Sequence, residues 1–208
     1  MSNRLQKLFD DLNKLENEIA AEIKQKTDEF SYTLENKRIK FTDEIAAEHR
    51  QHVTNVKTYL LQAPLRHILI APIIWSLILP AVFLDISVSL YQFICFPFYG
   101  IPKVKRNEYI IIDRHFLKYL NLIEKVNCNF CSYFNGLIAF VQEVAARTEQ
   151  YWCPIKHAHN MSTVHSRYKK FFDYGNAEQY RGSFQKVRRD YSDLEKEPTT
   201  SNNPETDI

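Results

Sequence analysis

Four cysteines and the histidines near them are the side chains in this chain best suited to metal or thiol chemistry. Cys128-Asn-Phe-Cys131 is a C-x2-C pair, and Cys153-Pro-Ile-Lys-His157 sets a thiol and an imidazole four residues apart, with His159 and His165 close behind. Three thiolates and one imidazole complete the tetrahedral shell that zinc prefers, so Cys128, Cys131, Cys153 and His157 are the candidate metal ligands. Zinc is the expected ion and iron the alternative, with Cys95 as a substitute thiolate. A second reading treats Cys128 and Cys131 as a redox dithiol beside a helix end. A third leaves all four thiols buried and inert, as free cysteine commonly is.

Geometry bears on this choice. One straight helix over residues 137–152 would hold the two half-sites about 24 Å apart. They could meet if the chain doubles back near Asn135–Gly136, a turn signal, and the helix kinks, or if two chains pack antiparallel. The chain lacks G-x-x-x-x-G-K-[ST], G-x-G-x-x-G, H-E-x-x-H and G-x-S-x-G, and scattered residues define no catalytic triad. An enzyme is therefore the lesser expectation.

The elements that must position these residues are dominated by residues 68–101, an apolar run whose only formal charge is Asp85. About 18 to 20 apolar residues are enough to cross a bilayer, and this run would measure about 51 Å as a single helix. Pro72, Pro80 and Pro97 each remove a helical hydrogen bond, so a bent, re-entrant or partly interfacial element is expected over residues 64–106. Lys and Arg flank both ends, which favours a hairpin with both flanks cytoplasmic over a single span. The N-terminal residues, MSNRLQKLFDDLN, lack the apolar core of a secretory signal. Asp85 is either a functional group at depth or the point where the run reaches water.

The remainder is polar and suits an all-α fold. Residues 1–63 read as a long amphipathic helix from Arg4 to about Leu61, with Leu5, Leu8, Leu12, Leu15 and Ile19 as a coiled-coil seam. Ten basic and eleven acidic residues balance its surface, and homo-oligomerisation through it is expected. Residues 107–165 form a Cys/His helical module, with helices over 109–126 and 137–152; Glu143 and Arg147 read as a solvated pair. Residues 154–189 carry eight basic against two acidic residues among aromatics. An anionic lipid surface is expected there ahead of nucleic acid. Residues 166–189 are set apart as the basic aromatic segment, and 190–208 as a disordered acidic tail.

The stretch DRHFLKYLNLIEKVNCNFCSYFNGLIAFVQEVAARTEQYWCPIKHA, residues 113–158, with LYQFICFPFYGIPKVKR upstream, resembles a family of uncharacterised bacterial membrane proteins of similar length. The resemblance covers roughly residues 80–175, and YWCPIKHA is its most distinctive piece. It implies a bacterial, membrane-associated protein and brings no activity with it; the bacterial inner (cytoplasmic) membrane is the expected location. The expected function is a membrane-anchored helical scaffold or interaction protein with a structural zinc site. The alternative is a membrane-associated redox or iron-binding component using Cys128 and Cys131.

Overall fold

The computed structural model describes residues 3–29, 32–35, 38–41 and 43–194. The chain is mostly helical, with one antiparallel hairpin. It divides into two compact units, Met1–Leu90 with Val104–Val144 and Tyr91–Lys103 with Ala145–Ile208.

In the first unit, α1 (Asn3–Glu29) is shorter than the helix expected to reach Leu61. It gives way to β1 (Tyr32–Glu35) and β2 (Arg38–Phe41), paired with Tyr32 opposite Phe41 and Glu35 opposite Arg38. The absence of Gly and Pro concealed this break. Tyr-Thr-Leu and Ile-Lys-Phe are β-formers in alternation, and the register leaves two residues between the strands, the commonest hairpin connection. Two short helices follow, α2 (Asp43–Gln51) and α3 (Val56–Gln62). Asn55 starts the latter, its Oδ1 accepting the Lys57 N–H.

The apolar run becomes α4 (Leu65–Ser76) and α5 (Ile78–Tyr99), which join through helical backbone at Leu77 into a 35-residue stretch without reversal. The expected hairpin does not form within it. Pro80 is the third residue of α5, in the first turn, where its missing N–H has no intrahelical partner to lose. The far end closes with a Schellman motif in the second unit. Gly100 adopts φ 66°, its N–H bonds Pro97 O at 3.3 Å, and Ile101 N–H bonds Phe96 O at 2.9 Å. Ile101 and Phe96 are both buried, the apolar contact that accompanies this cap. Pro102 follows and ends the helical ladder.

The helix expected over 109–126 is also absent. Only α6 (Arg106–Tyr109) and a 3-10 turn at Arg114–Phe116 form there. α7 (Leu122–Trp152) instead begins with a capping box: Asn121 Oδ1 accepts the Glu124 N–H at 3.0 Å, and Glu124 Oε2 accepts the Asn121 N–H at 2.9 Å. The helix continues through Asn135–Gly136, so the chain does not turn back there. Gly136 is present for another reason. A Cβ at that position would lie 2.6 Å from Tyr109 O and 2.8 Å from Ile110 Cα, so backbone packs directly on the helix. Glu143 and Arg147 are both buried rather than solvated.

The second unit is organised around Arg167, which is 1% exposed. Its Nε donates to Gln150 Oε1 at 2.6 Å, and its Nη1 and Nη2 donate to the Asp193 carboxylate at 2.6 and 3.0 Å. Gln150, itself 0% exposed, donates Nε2 to Val187 O and Asp190 O. Burial would raise the Asp193 carboxyl, but hydrogen bonds from Arg167 and Lys170 outweigh it and hold it well below the usual carboxylate range. Tyr191 donates its hydroxyl to Arg147 O, and burial pushes that phenol up to about 12. Residues 190–194 are therefore packed and not part of a tail; 195–208 lie outside the described residues.

The basic aromatic segment is likewise folded inward. Lys156 pairs with Asp173 at 2.6 Å, Lys170 with Asp193 at 2.6 Å, and Phe171 and Phe172 are core residues. α8 (Ala177–Val187), capped by Asn176, leaves Arg181 and Lys186 exposed.

Candidate functional site

The largest chemical feature is the uncovered side of Leu65–Tyr99. Its mean hydropathy reaches 2.2 over a window of which 6% is buried. Between residues 68 and 98 every exposed side chain is apolar except Ser76 and Ser87. Those two hydroxyls donate to carbonyls of their own helix, Ser76 to Ile73 O at 2.7 Å and Ser87 to Phe83 O at 2.8 Å. The surface thus asks nothing of water, which is how polar side chains are accommodated on helices in hydrocarbon.

The opposite side of α5 is a narrow packed seam carrying its polar residues other than Ser87. Asp85 and Gln92 are buried, and Ser89 is half-buried. Asp85 is not an isolated charge at depth. Arg106 grips it in fork geometry, Nε to Oδ1 at 3.0 Å and Nη2 to Oδ2 at 2.6 Å. The Tyr133 hydroxyl donates to Oδ2 at 2.9 Å and Ser89 Oγ to Oδ1 at 3.3 Å. Burial, then the hydrogen bond to Asp85, raises the Tyr133 phenol and keeps it a donor. In the same unit Trp75 packs on Phe130 of α7, with ring centres 5.4 Å apart.

The two partners of this ion pair differ in exposure, 11% for the Asp85 side chain and 47% for Arg106. Removing Asp85 leaves a guanidinium that water can reach; removing Arg106 leaves a buried carboxylate with two hydroxyl donors. Arg106→Ala should therefore lower stability by about 2 to 3 kcal/mol, and Asp85→Asn by about 1. Chemical denaturation in detergent checks this ordering, and equal losses would contradict it.

In the second unit the end of α5 meets an aromatic cluster. Tyr99 lies 5.1 Å from Tyr151 and 5.2 Å from Trp152, and Tyr91 hydrogen-bonds Thr148 at 3.1 Å. Arg188 stacks on Tyr151 at 3.9 Å, and Lys103 stands 4.5 Å over Phe93. Tyr and Trp with Lys and Arg at the end of an apolar helix are the composition of a membrane–water boundary.

The cysteines are placed differently from their sequence spacing. Cys128 and Cys131 lie on α7 in the first unit, half-buried and exposed respectively. Cys153 and His157 follow the helix in the second unit, where the His157 N–H donates to the Tyr168 hydroxyl. All four thiols, Cys95 included, are free. Among the described residues no three Cys, His, Asp or Glu side chains converge to hold a metal ion. Burial and the neighbouring Glu149 push the Cys153 thiol up. Cys131 borders a shallow cleft of about 500 Å³ shared with Asp113, Arg114 and Asn135.

The capping box and the Gly136 contact were missed in the sequence. The spacing Asn121-x-x-Glu124 was the readable signal for the start of α7. No family model, curated protein or solved structure matches this chain.

Proposed function

We propose that this chain is a membrane-attached helical interaction protein, held on the bilayer by Leu65–Tyr99 and offering α1 to a second copy of itself. The reading is carried by the apolar side of Leu65–Tyr99, whose exposed hydroxyls are closed onto their own helix. The resemblance to bacterial membrane proteins makes the inner membrane the natural setting. Neither zinc nor the redox or iron-binding alternative at Cys128 and Cys131 enters this reading; among the described residues no three Cys, His, Asp or Glu side chains form a ligand group.

The stripe on α1 supports the interaction role. Leu8, Leu12, Leu15, Ile19 and Ile23 step along one face and are all 45% or more exposed. Steps of four, three, four and four residues are those of a coiled-coil seam, and the rest of the helix is charged, with Lys14 and Glu18 paired at 3.8 Å. A matching stripe on a second copy would cover it.

Fractionation tests the attachment. The full chain should stay with the membrane pellet through a carbonate wash, and quantitative release would overturn the reading. The interaction role is tested by Leu12→Asp with Leu15→Asp, which should abolish cross-linking between copies in membranes while leaving the pellet fraction unchanged.

A further inference from the structure

Resting on the membrane-contact reading, the geometry points to a helix that lies in the plane of one leaflet instead of crossing the bilayer. The occupant of the exposed side of Leu65–Tyr99 is then the acyl chains of a single leaflet, and its packed seam faces the headgroups.

Length is the first argument. Thirty-five residues measure about 52 Å along the helix, against a hydrocarbon core of about 30 Å. Even a tilt of about 40°, the upper end of what spanning helices adopt, leaves about 40 Å to accommodate. Apart from exposed Arg66 and His67 beside Leu65, the apolar side chains run to both ends: Leu65 is 71% and Phe98 84% exposed. A crossing helix would strand part of this surface in water.

Charge is the second. Asp85 sits well inside the run, and its partner Arg106 is half-exposed. Beside Arg106, Lys105 and Glu108 form a 3.0 Å ion pair, each 56% exposed. A steep span centred on the run would carry these groups into hydrocarbon. A span confined to residues 65–84 would return Asp85 to the interface but leave Ile86, Leu90, Phe93 and Phe98 uncovered. A helix lying flat satisfies both requirements, with lipid along one side and water along the other.

The seam supplies the third. Its packed positions in the first unit meet the Tyr133 hydroxyl and Arg106, and those in the second meet Thr148. A companion of that polarity suits the headgroup region. Exposed Arg66 and Lys103 near the two ends supply the cationic rim that anionic lipid attracts.

Depth-dependent fluorescence quenching tests this on the full chain in vesicles of neutral and anionic phospholipid. Trp75 and Trp152 are changed to phenylalanine, and one tryptophan is introduced at Leu69→Trp, Phe83→Trp or Phe98→Trp, all exposed positions. All three should be quenched about twofold more by a nitroxide near the headgroup than by one near the chain end, because an in-plane helix sits about 5 to 10 Å deep. A deep Phe83→Trp between two shallow neighbours would mean a hairpin. A graded series would mean a span, and either result overturns the in-plane helix. With the four native cysteines changed to serine, Arg66→Cys and Lys118→Cys should label from the same side with an impermeant reagent; opposite sides also overturn it. Quenching at none of the three positions would remove the membrane-contact reading itself.

Discussion

Replacing Arg167 with alanine should unfold the second unit, lowering its stability by about 3 to 5 kcal/mol. The guanidinium is almost completely buried, and its loss strips the fully buried Gln150 Oε1 of its donor. It also removes the fork on Asp193, the bond to Asp190 O and the stacking on Tyr191. Lysine should not restore the unit, because one ammonium cannot reach Gln150 and bind Asp193 bidentately at once. Protease resistance of residues 145–194 and near-ultraviolet circular dichroism read the effect directly, and a variant as resistant as the parent would refute it. The advantage of the parent should also depend on pH. The folded Asp193 carboxyl titrates below its unfolded value, so its contribution is complete above that value, about pH 4, and fades as the pH falls further.

Two glycine-to-alanine changes within helices should have opposite signs. Gly136→Ala would drive a methyl group against the Tyr109 carbonyl and Ile110 Cα, both backbone atoms that can move only if the loop moves. Overpacking of that kind costs about 1 to 3 kcal/mol, more than the roughly 1 kcal/mol of helix propensity that alanine returns. Gly182, inside α8, has open space where its Cβ would be. Gly182→Ala should therefore stabilise by about 0.5 to 1 kcal/mol. Denaturant midpoints of the two variants decide the matter: stabilisation of both would show that propensity alone governs the two positions, and a destabilised Gly182→Ala would contradict the open space there.

The apolar run was legible because its signal is additive over many residues, and its end was legible at Gly100-Ile101-Pro102. The hairpin at Tyr32–Phe41 was not, since four-residue strands compete with a helix pattern that no Gly or Pro interrupts. Asn135–Gly136 misled for a physical reason: the dipeptide favours a turn locally, yet this glycine is needed for close backbone packing on a continuous helix. The metal reading joined two half-sites, C-x2-C and C-x3-H, that could meet only if the chain turned back or kinked within the 21 residues between Cys131 and Cys153. All of those residues lie within α7. The inward folding of Lys156, Arg167 and Lys170 was hidden because their acids, Asp173, Asp190 and Asp193, lie partly in a stretch that composition assigns to a tail.

The partners of Arg167 have a bearing on biosynthesis. Asp193 is made 90 residues after Lys103, so the second unit lacks its central counter-charge until those residues have been added. At about 5 to 20 residues per second, that interval lasts about 5 to 20 seconds. Throughout it the apolar helix, already complete at Tyr99, has none of its finished companions in the second unit. A nascent chain in that condition either meets a lipid surface or a chaperone, or it aggregates. On the proposed membrane attachment, capture during translation would come before, and not after, the closing of the Arg167 network.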